Sequence, residues 1–190
     1  MTRSTADSVR TGTPQAKFDF QALPEKELEG YFRKQIHSSV RGGEGIAMAL
    51  NFSRFELLLD AGGGTGGAAM AICREYPSLK ATVADLPGVT RLARRFIAEA
   101  EMSELIDVSA VDLRSAPPSG KYDAVLLRAV IQTFDKDDAV KILRNISLAM
   151  PSGGQIFIVG SILDHSPRGP MSAVASILVF LNTFPHGAAS

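Results

Sequence analysis

Asp60, Asp85, Asp112 and Arg128 each follow a short apolar run, and five of the seven residues from Ala61 to Gly67 are glycine. The first run reads LLLDAGGGTGG from Leu57 to Gly67. So many glycines cost backbone entropy, which points to a left-handed turn or the close approach of a ligand. Gly62, Gly64 and Gly67 have G-x-G-x-x-G spacing, and Asp85 lies 23 residues after Gly62. A tight turn before a helix N-terminus, followed by an acid that takes ribose hydroxyls, is one way to hold a dinucleotide. Gly62, Gly64 and Gly66 also form a contiguous G-x-G-x-G. Asp60 favours a different ligand, because a carboxylate there repels a pyrophosphate at the following helix N-terminus and attracts an ammonium or sulfonium.

S-adenosylmethionine combines those features: adenosine at one end, zwitterionic methionine at the other, and a positive sulfur between them. The other strand ends fit the same ligand, and each has a plainer reading beside it. Asp85 accepts from both ribose hydroxyls, or caps the helix that begins near Pro87. Asp112 accepts from the adenine amino group with Leu113 packing on the ring, or is a solvated loop acid. Arg128 lines the cleft or pairs with a nearby acid. An NAD-dependent oxidoreductase stays open as the alternative on glycine spacing alone. His37, His165 and His186 have no ligand spacing and Cys73 is the single cysteine, so neither a metal site nor a disulfide framework is expected. Cys73 is read as core filling.

The elements that must position these residues follow from periodicity. Met1 to Lys17, rich in Ser, Thr, Gly and Pro, is predicted to be disordered. Residues 18–55 are predicted to form linker helices, one starting at Pro24 and a second short one over Glu44 to Leu50. From residue 56 onward, strands and helices alternate. The predicted strands are Leu57–Asp60, Lys80–Ala84, Ile106–Val111, Tyr122–Leu127 and Gln155–Ser161. The helices between them are Thr65–Glu75, Val89–Glu101 and Asp135–Met150, and Met171–Phe184 reads as a last apolar helix. Short, β-branched, nearly continuous apolar strands between amphipathic helices indicate a parallel sheet covered on both faces. Right-handed crossovers make it a doubly wound α/β fold whose ligands lie beyond the carboxyl ends of the strands.

Composition excludes several classes. With 190 residues the chain has room for one domain with a real core. Lys and Arg total 20, balanced by 20 Asp and Glu, so no basic surface points to nucleic acid. The longest apolar run, Ala173 to Leu181, is too short to span a bilayer, and the polar N-terminus is not a signal peptide. A cytoplasmic protein without nucleic-acid or membrane partners is expected.

Three stretches together carry a family resemblance: LLLDAGGGTGG, then ADLPGV (84–89), then VDLRSAPPSGKYDAVLLRAVIQTFDKDDAVKILRNISLAMPSGGQIFIV (111–159). They resemble the catalytic domain of the S-adenosylmethionine-dependent small-molecule O-methyltransferases, the group of plant caffeate, acetylserotonin and bacterial polyketide methyltransferases. The likeness covers residues 18–184. It implies that residues 56–190 form the catalytic domain, with a class I methyltransferase sheet. It also implies S-adenosylmethionine as cofactor and a small, aromatic, secondary-metabolite-like acceptor. Gly62, Gly64 and Gly66 would form the cofactor loop above Asp60. Asp85 would hold the ribose, Leu86 the adenosine, and Asp112 with Leu113 the adenine. Arg128 matches a basic residue that plant members place along the cofactor.

Two departures accompany the resemblance. Plant-type members carry a His-Asp pair after the fourth strand, the His acting as general base; that pair falls on Gln132 and Thr133 here. A neutral amide takes up no proton at physiological pH, so Gln132 is expected to orient the acceptor rather than deprotonate it, and transfer would rest on alignment. Family members also continue beyond the point where this chain ends. The expectation is therefore a sheet lacking its last two strands. Such a chain would be an active short enzyme, aided by a homodimer partner or complementing chain, or an inactive cofactor-binding remnant.

Overall fold

A computed structural model describes residues 3–16, 20, 22–160 and 183. The elements are α1 (Arg3–Thr11), α2 (Glu25–Ala49), β1 (Leu57–Ala61), α3 (Gly67–Glu75), β2 (Lys80–Asp85), α4 (Pro87–Glu99), β3 (Ile106–Ala110), β4 (Ala124–Arg128), a 3-10 turn (Ile131–Thr133), α5 (Lys136–Leu148) and β5 (Gln155–Val159). The five strands form one sheet in the order β3-β2-β1-β4-β5, and every pairing is parallel. The order reverses between β1 and β4, which places a crevice at the carboxyl ends of those two strands.

The strands carry apolar side chains on both faces because both faces are covered. Leu58, Val83, Ala124 and Leu126 join the core made with α2, α3 and α4. Leu59, Ala61, Val125 and Leu127 point the other way and pack with Ile142 and Ile146 of α5. This period of two decides the fate of Asp60. It lies on the Leu58 face, under the N-terminus of α3.

Boundaries shift where side chains replace ladder bonds. β4 starts at Ala124, not Tyr122, because the Asp123 carboxylate accepts from the N–H groups of Glu56 and Leu57 at 2.8 and 2.9 Å. α3 starts at Gly67 rather than Thr65, since Gly66 is left-handed at φ 76° and ends the non-helical turn. α2 is one helix of 25 residues, not two, although it contains Gly30, Gly42, Gly43 and Gly45. Packing on α3 offsets part of their poor helix propensity: Gly43 lies against Ala68 and Ala71, and Gly67 of α3 against Ser39 and Val40, whereas nothing lies within 4 Å of a Cβ added at Gly30 or Gly45. Ion pairs of α2 with α4 set the helices' register, Glu29 to Arg95 at 2.6 Å and Arg33 to Glu99 at 3.1 Å. These pairs are partly exposed and add little to stability.

α1 stands where composition predicts disorder. The Ser8 hydroxyl donates to the Ser4 carbonyl, the Thr11 hydroxyl to the Asp7 carbonyl, and Asp7 pairs with Arg10 one turn on. Ser8 is fully buried and accepts from the Gln15 N–H at 2.9 Å. These local bonds close a turn that hydropathy alone does not indicate. The expected helix Met171–Phe184 lies outside the described residues, apart from Thr183. No described helix is long and apolar enough to cross a membrane.

Candidate cofactor and acceptor site

The glycine turn joins β1 to α3. Gly62, Gly64 and Gly66 have φ of 70°, 58° and 76°, a region that residues with a Cβ rarely adopt. The Gly62 N–H donates to the Ala84 carbonyl at 2.7 Å, which continues the β1–β2 ladder into the turn. Asp85, the last residue of β2, fixes the middle of the turn. One of its carboxylate oxygens accepts from the Gly64 N–H at 2.8 Å, the other from the Leu86 N–H at 2.7 Å. Burial raises its carboxyl above the ordinary range, while both N–H groups pull it back. Each oxygen keeps a lone pair, so two further donors can be received.

Asp60 lies beneath the turn and is 1% exposed. The Ala69 N–H donates to its carboxylate, but Oδ2 has no hydrogen-bond partner. Burial raises its carboxyl from 3.8 to about 7; the Ala69 bond and the charge of Arg128 oppose that rise, and Asp85 adds to it. A Cβ on Gly63 would lie 2.6 Å from this carboxylate, so glycine there leaves Asp60 its room.

Two side chains not anticipated from the sequence close over the turn. Phe32 of α2 reaches within 3.3 Å of where a Gly64 Cβ would sit, and Val130 comes closer still to where a Gly62 Cβ would sit, at 2.7 Å. Phe32 belongs to an aromatic group with Phe20 and Tyr31, at ring separations of 5.3 to 5.8 Å. In the sequence Tyr31 and Phe32 fall at helical spacing with Leu28 and Ile36, which marks them as one face of a helix. Nothing local showed that this face would lie over glycines more than thirty residues later.

The remaining candidates divide. Arg128 extends from β4 toward α2, where Nη2 lies 3.4 Å from the Ser38 carbonyl and the guanidinium covers Gly42. It bridges two elements while its charge still acts on Asp60. Asp112 follows β3 as expected, but its carboxylate is engaged by Arg114 in a two-point ion pair. The Leu113 side chain is 8% exposed and packs in the core with Ile142 and Ile146 of α5. Leu86 precedes α4 and packs partly buried on the core beside the turn. Gln132 lies in the 3-10 turn after β4, with its carboxamide against Gly160 at the end of β5. Between Arg128 and Gln132 the backbone turns through Ala129, left-handed at φ 56°.

Among the described residues, no group of three or more His, Cys, Asp or Glu could hold a metal ion. A shallow depression beside Arg54, Asp123 and Gly153 lies away from the glycine turn, at the opposite ends of the strands. Its acid already serves the N–H groups of β1. The set at the carboxyl ends fits a compact cationic ligand bearing a ribose: an unpartnered buried carboxylate oxygen, a glycine cradle and a second acid with free lone pairs. It does not suit a pyrophosphate, which would face Asp60.

A mutation tests the Asp85 tie. Asp85→Ala leaves the Gly64 and Leu86 N–H groups without partners and is expected to cost about 1–3 kcal/mol in urea unfolding. It should also weaken S-adenosylhomocysteine binding at least tenfold. Asp85→Asn, which keeps an acceptor, should fall between.

Comparison with known proteins converges on one family. The O-methyltransferase domain family matches residues 9–188. A 3-hydroxy-5-methyl-1-naphthoate 3-O-methyltransferase of Streptomyces sahachiroi is 33% identical over 175 residues, 88% of this chain and 50% of that protein. The human N-acetylserotonin methyltransferase, solved in complex with S-adenosylmethionine, superposes with a TM-score of 0.74 at 26% identity, covering 97% of this chain and 55% of that one. The structure of PigF with SAH superposes with a TM-score of 0.83 at 25% identity, covering 98% and 58%. This chain spans about half the length of the relatives it matches.

Proposed function

The chain belongs to the O-methyltransferase domain family, and from that premise we propose that it moves the methyl group of S-adenosylmethionine to an oxygen of a small aromatic molecule. The observation that carries this reading is Asp60, a buried carboxylate with one unpartnered oxygen beneath a left-handed glycine turn. The cofactor supplies a methyl group on a positively charged sulfur. The chain's residues do the holding. Asp60 offers its free oxygen to the cationic end, the glycine turn admits the ligand to the backbone, and the spare lone pairs of Asp85 accept the ribose hydroxyls. Phe32 and Val130 stand over Gly64 and Gly62 and supply apolar walls beside the turn.

The acceptor reading follows the naphthoate relative and the absence of a base at Gln132. An acidic phenol or naphthol is partly ionised near neutral pH, so the chain need only orient it. Gln132, in the turn between Arg128 and α5, offers an amide for that purpose. Alignment of this kind lowers a barrier by several kcal/mol. A second reading is a cofactor-binding chain without turnover, favoured by that same neutral side chain.

Calorimetric titration with S-adenosylhomocysteine and with NAD tests the first part: binding of the former alone is expected, and binding of NAD alone overturns the proposal. Turnover with a panel of phenolic and naphthoic acceptors tests the second. Gln132→Ala should lower turnover about tenfold with cofactor affinity unchanged, the value of one orienting hydrogen bond. Unchanged turnover removes Gln132 from the reaction, and no turnover from the unsubstituted chain favours the second reading.

A further inference from the structure

Asp112 is held unlike the other two acids. Its Oδ1 accepts from both the backbone N–H and the Nε of Arg114 at 3.0 Å, and its Oδ2 accepts from Nη2 at 2.7 Å. The guanidinium therefore grips the carboxylate as a fork, a geometry only arginine provides. The backbone beneath is held as well. The Ser115 and Ala116 N–H groups donate to the Asp112 carbonyl, and the Asn145 side chain of α5 donates to the Leu113 carbonyl at 2.8 Å. On its far side the guanidinium lies 5.8 Å from the centre of the Phe134 ring. Arg114 keeps the Asp112 carboxyl below its usual range, so it stays ionised.

A carboxylate has about four acceptor directions. Arg114 occupies both on Oδ1 and one on Oδ2. One remains on Oδ2, two residues beyond the carboxyl end of β3, the strand beside the one that Asp85 ends. A free carboxylate could rotate and meet donors of many shapes; this one cannot. A single anionic acceptor welcomes an amino group and repels a carbonyl oxygen.

We infer that Arg114 is a specificity-determining positioning residue: by forking the Asp112 carboxylate it leaves one Oδ2 acceptor that selects a 6-aminopurine over a 6-oxopurine at the nucleoside end of the cleft. The inference rests on the cofactor reading above and adds to it a residue that does not itself touch the ligand. Its consequence is that purine discrimination is set by a side chain two positions beyond the contact.

The test is calorimetric titration of the 190-residue chain with S-adenosylhomocysteine and with S-inosylhomocysteine, which carries a carbonyl in place of the amino group. The unsubstituted chain should prefer the adenosyl compound by about tenfold or more, the value of one charge-assisted hydrogen bond against a repelled carbonyl. Arg114→Ala should reduce that ratio to within about threefold, and Arg114→Lys, which keeps the charge without the fork, should not restore it. A merely structural role would weaken both ligands alike and leave the ratio intact. An unchanged ratio in Arg114→Ala, or full restoration by lysine, overturns the inference. If the unsubstituted chain binds neither nucleoside, the cofactor reading itself fails.

Discussion

Asp60→Asn is expected to stabilise the ligand-free protein at pH 8 while weakening its hold on S-adenosylmethionine. In the folded chain the Asp60 carboxyl titrates near 7, against an ordinary value of 3.8. The folded state then binds this proton more tightly than the unfolded one. Stability from this group is greatest below about pH 4, falls as the pH rises to about 7, and is flat above that. Three units correspond to about 4 kcal/mol, an upper figure for the cost of the buried charge. The amide has the shape of the protonated acid and no titration. Urea unfolding at pH 5 and pH 8 should show the wild type losing a few kcal/mol between the two, and Asp60→Asn losing much less. Binding should move the other way, with affinity for the sulfonium cofactor falling at least tenfold. Parallel stability profiles for the two proteins would show that the Asp60 carboxyl is not raised by burial.

The second large effect is expected at Gly43. A Cβ there would stand 2.7 Å from both the Cα and the carbonyl oxygen of Ala68, and 2.9 Å from the Ala71 Cβ. The two closest obstacles are backbone, so the clash is relieved only by moving α2 away from α3. Overpacking of this kind costs about 1–3 kcal/mol or more, which exceeds the ~1 kcal/mol that alanine gains over glycine within a helix. Gly43→Ala should therefore destabilise the fold, and it should weaken cofactor binding because Phe32 rides on the same helix. Gly45 is the internal control. Nothing lies within 4 Å of a Cβ added there, so Gly45→Ala should stabilise the protein by about 1 kcal/mol. Thermal melts of the two variants, run side by side, check the pair; equal shifts would mean that α2 and α3 do not meet at Gly43.

Much of this was legible in the residues. The five strands were found because apolar runs such as Leu57–Leu59 and Ala124–Leu127 need cover on both faces, and only a parallel sheet between helices offers that. Asp60, Asp85 and Asp112 were singled out because each ends such a run. What was not legible depended on contacts distant in sequence. The single helix α2 read as one helix from Pro24 and a second short one over Glu44 to Leu50, since propensity is local and the α3 surface that receives Gly43 is not. The helical spacing of Phe32 does not show that it reaches the glycine turn. The position of Leu113 after a strand was clear, while the packing of its side chain with the α5 core was not. Arg114 stood in plain view two residues after Asp112. Its role needed the fork geometry, which spacing alone does not reveal.

The seating of β1 has a consequence for the order in which the molecule assembles. Its first N–H groups are received by Asp123, 66 and 67 residues further along, and its β4 neighbour comes equally late. β2, by contrast, follows within one helix, and Asp85 reaches back only 21 residues to Gly64. A chain emerging from the ribosome can therefore tie the glycine turn to β2 while one side of β1 is still bare. The closure by Val130 and the charge of Arg128 arrive only after long-range pairing, the slow kind. The ligand cradle precedes its own roof, and until β4 docks, a strand edge rich in leucine is open to wrong partners.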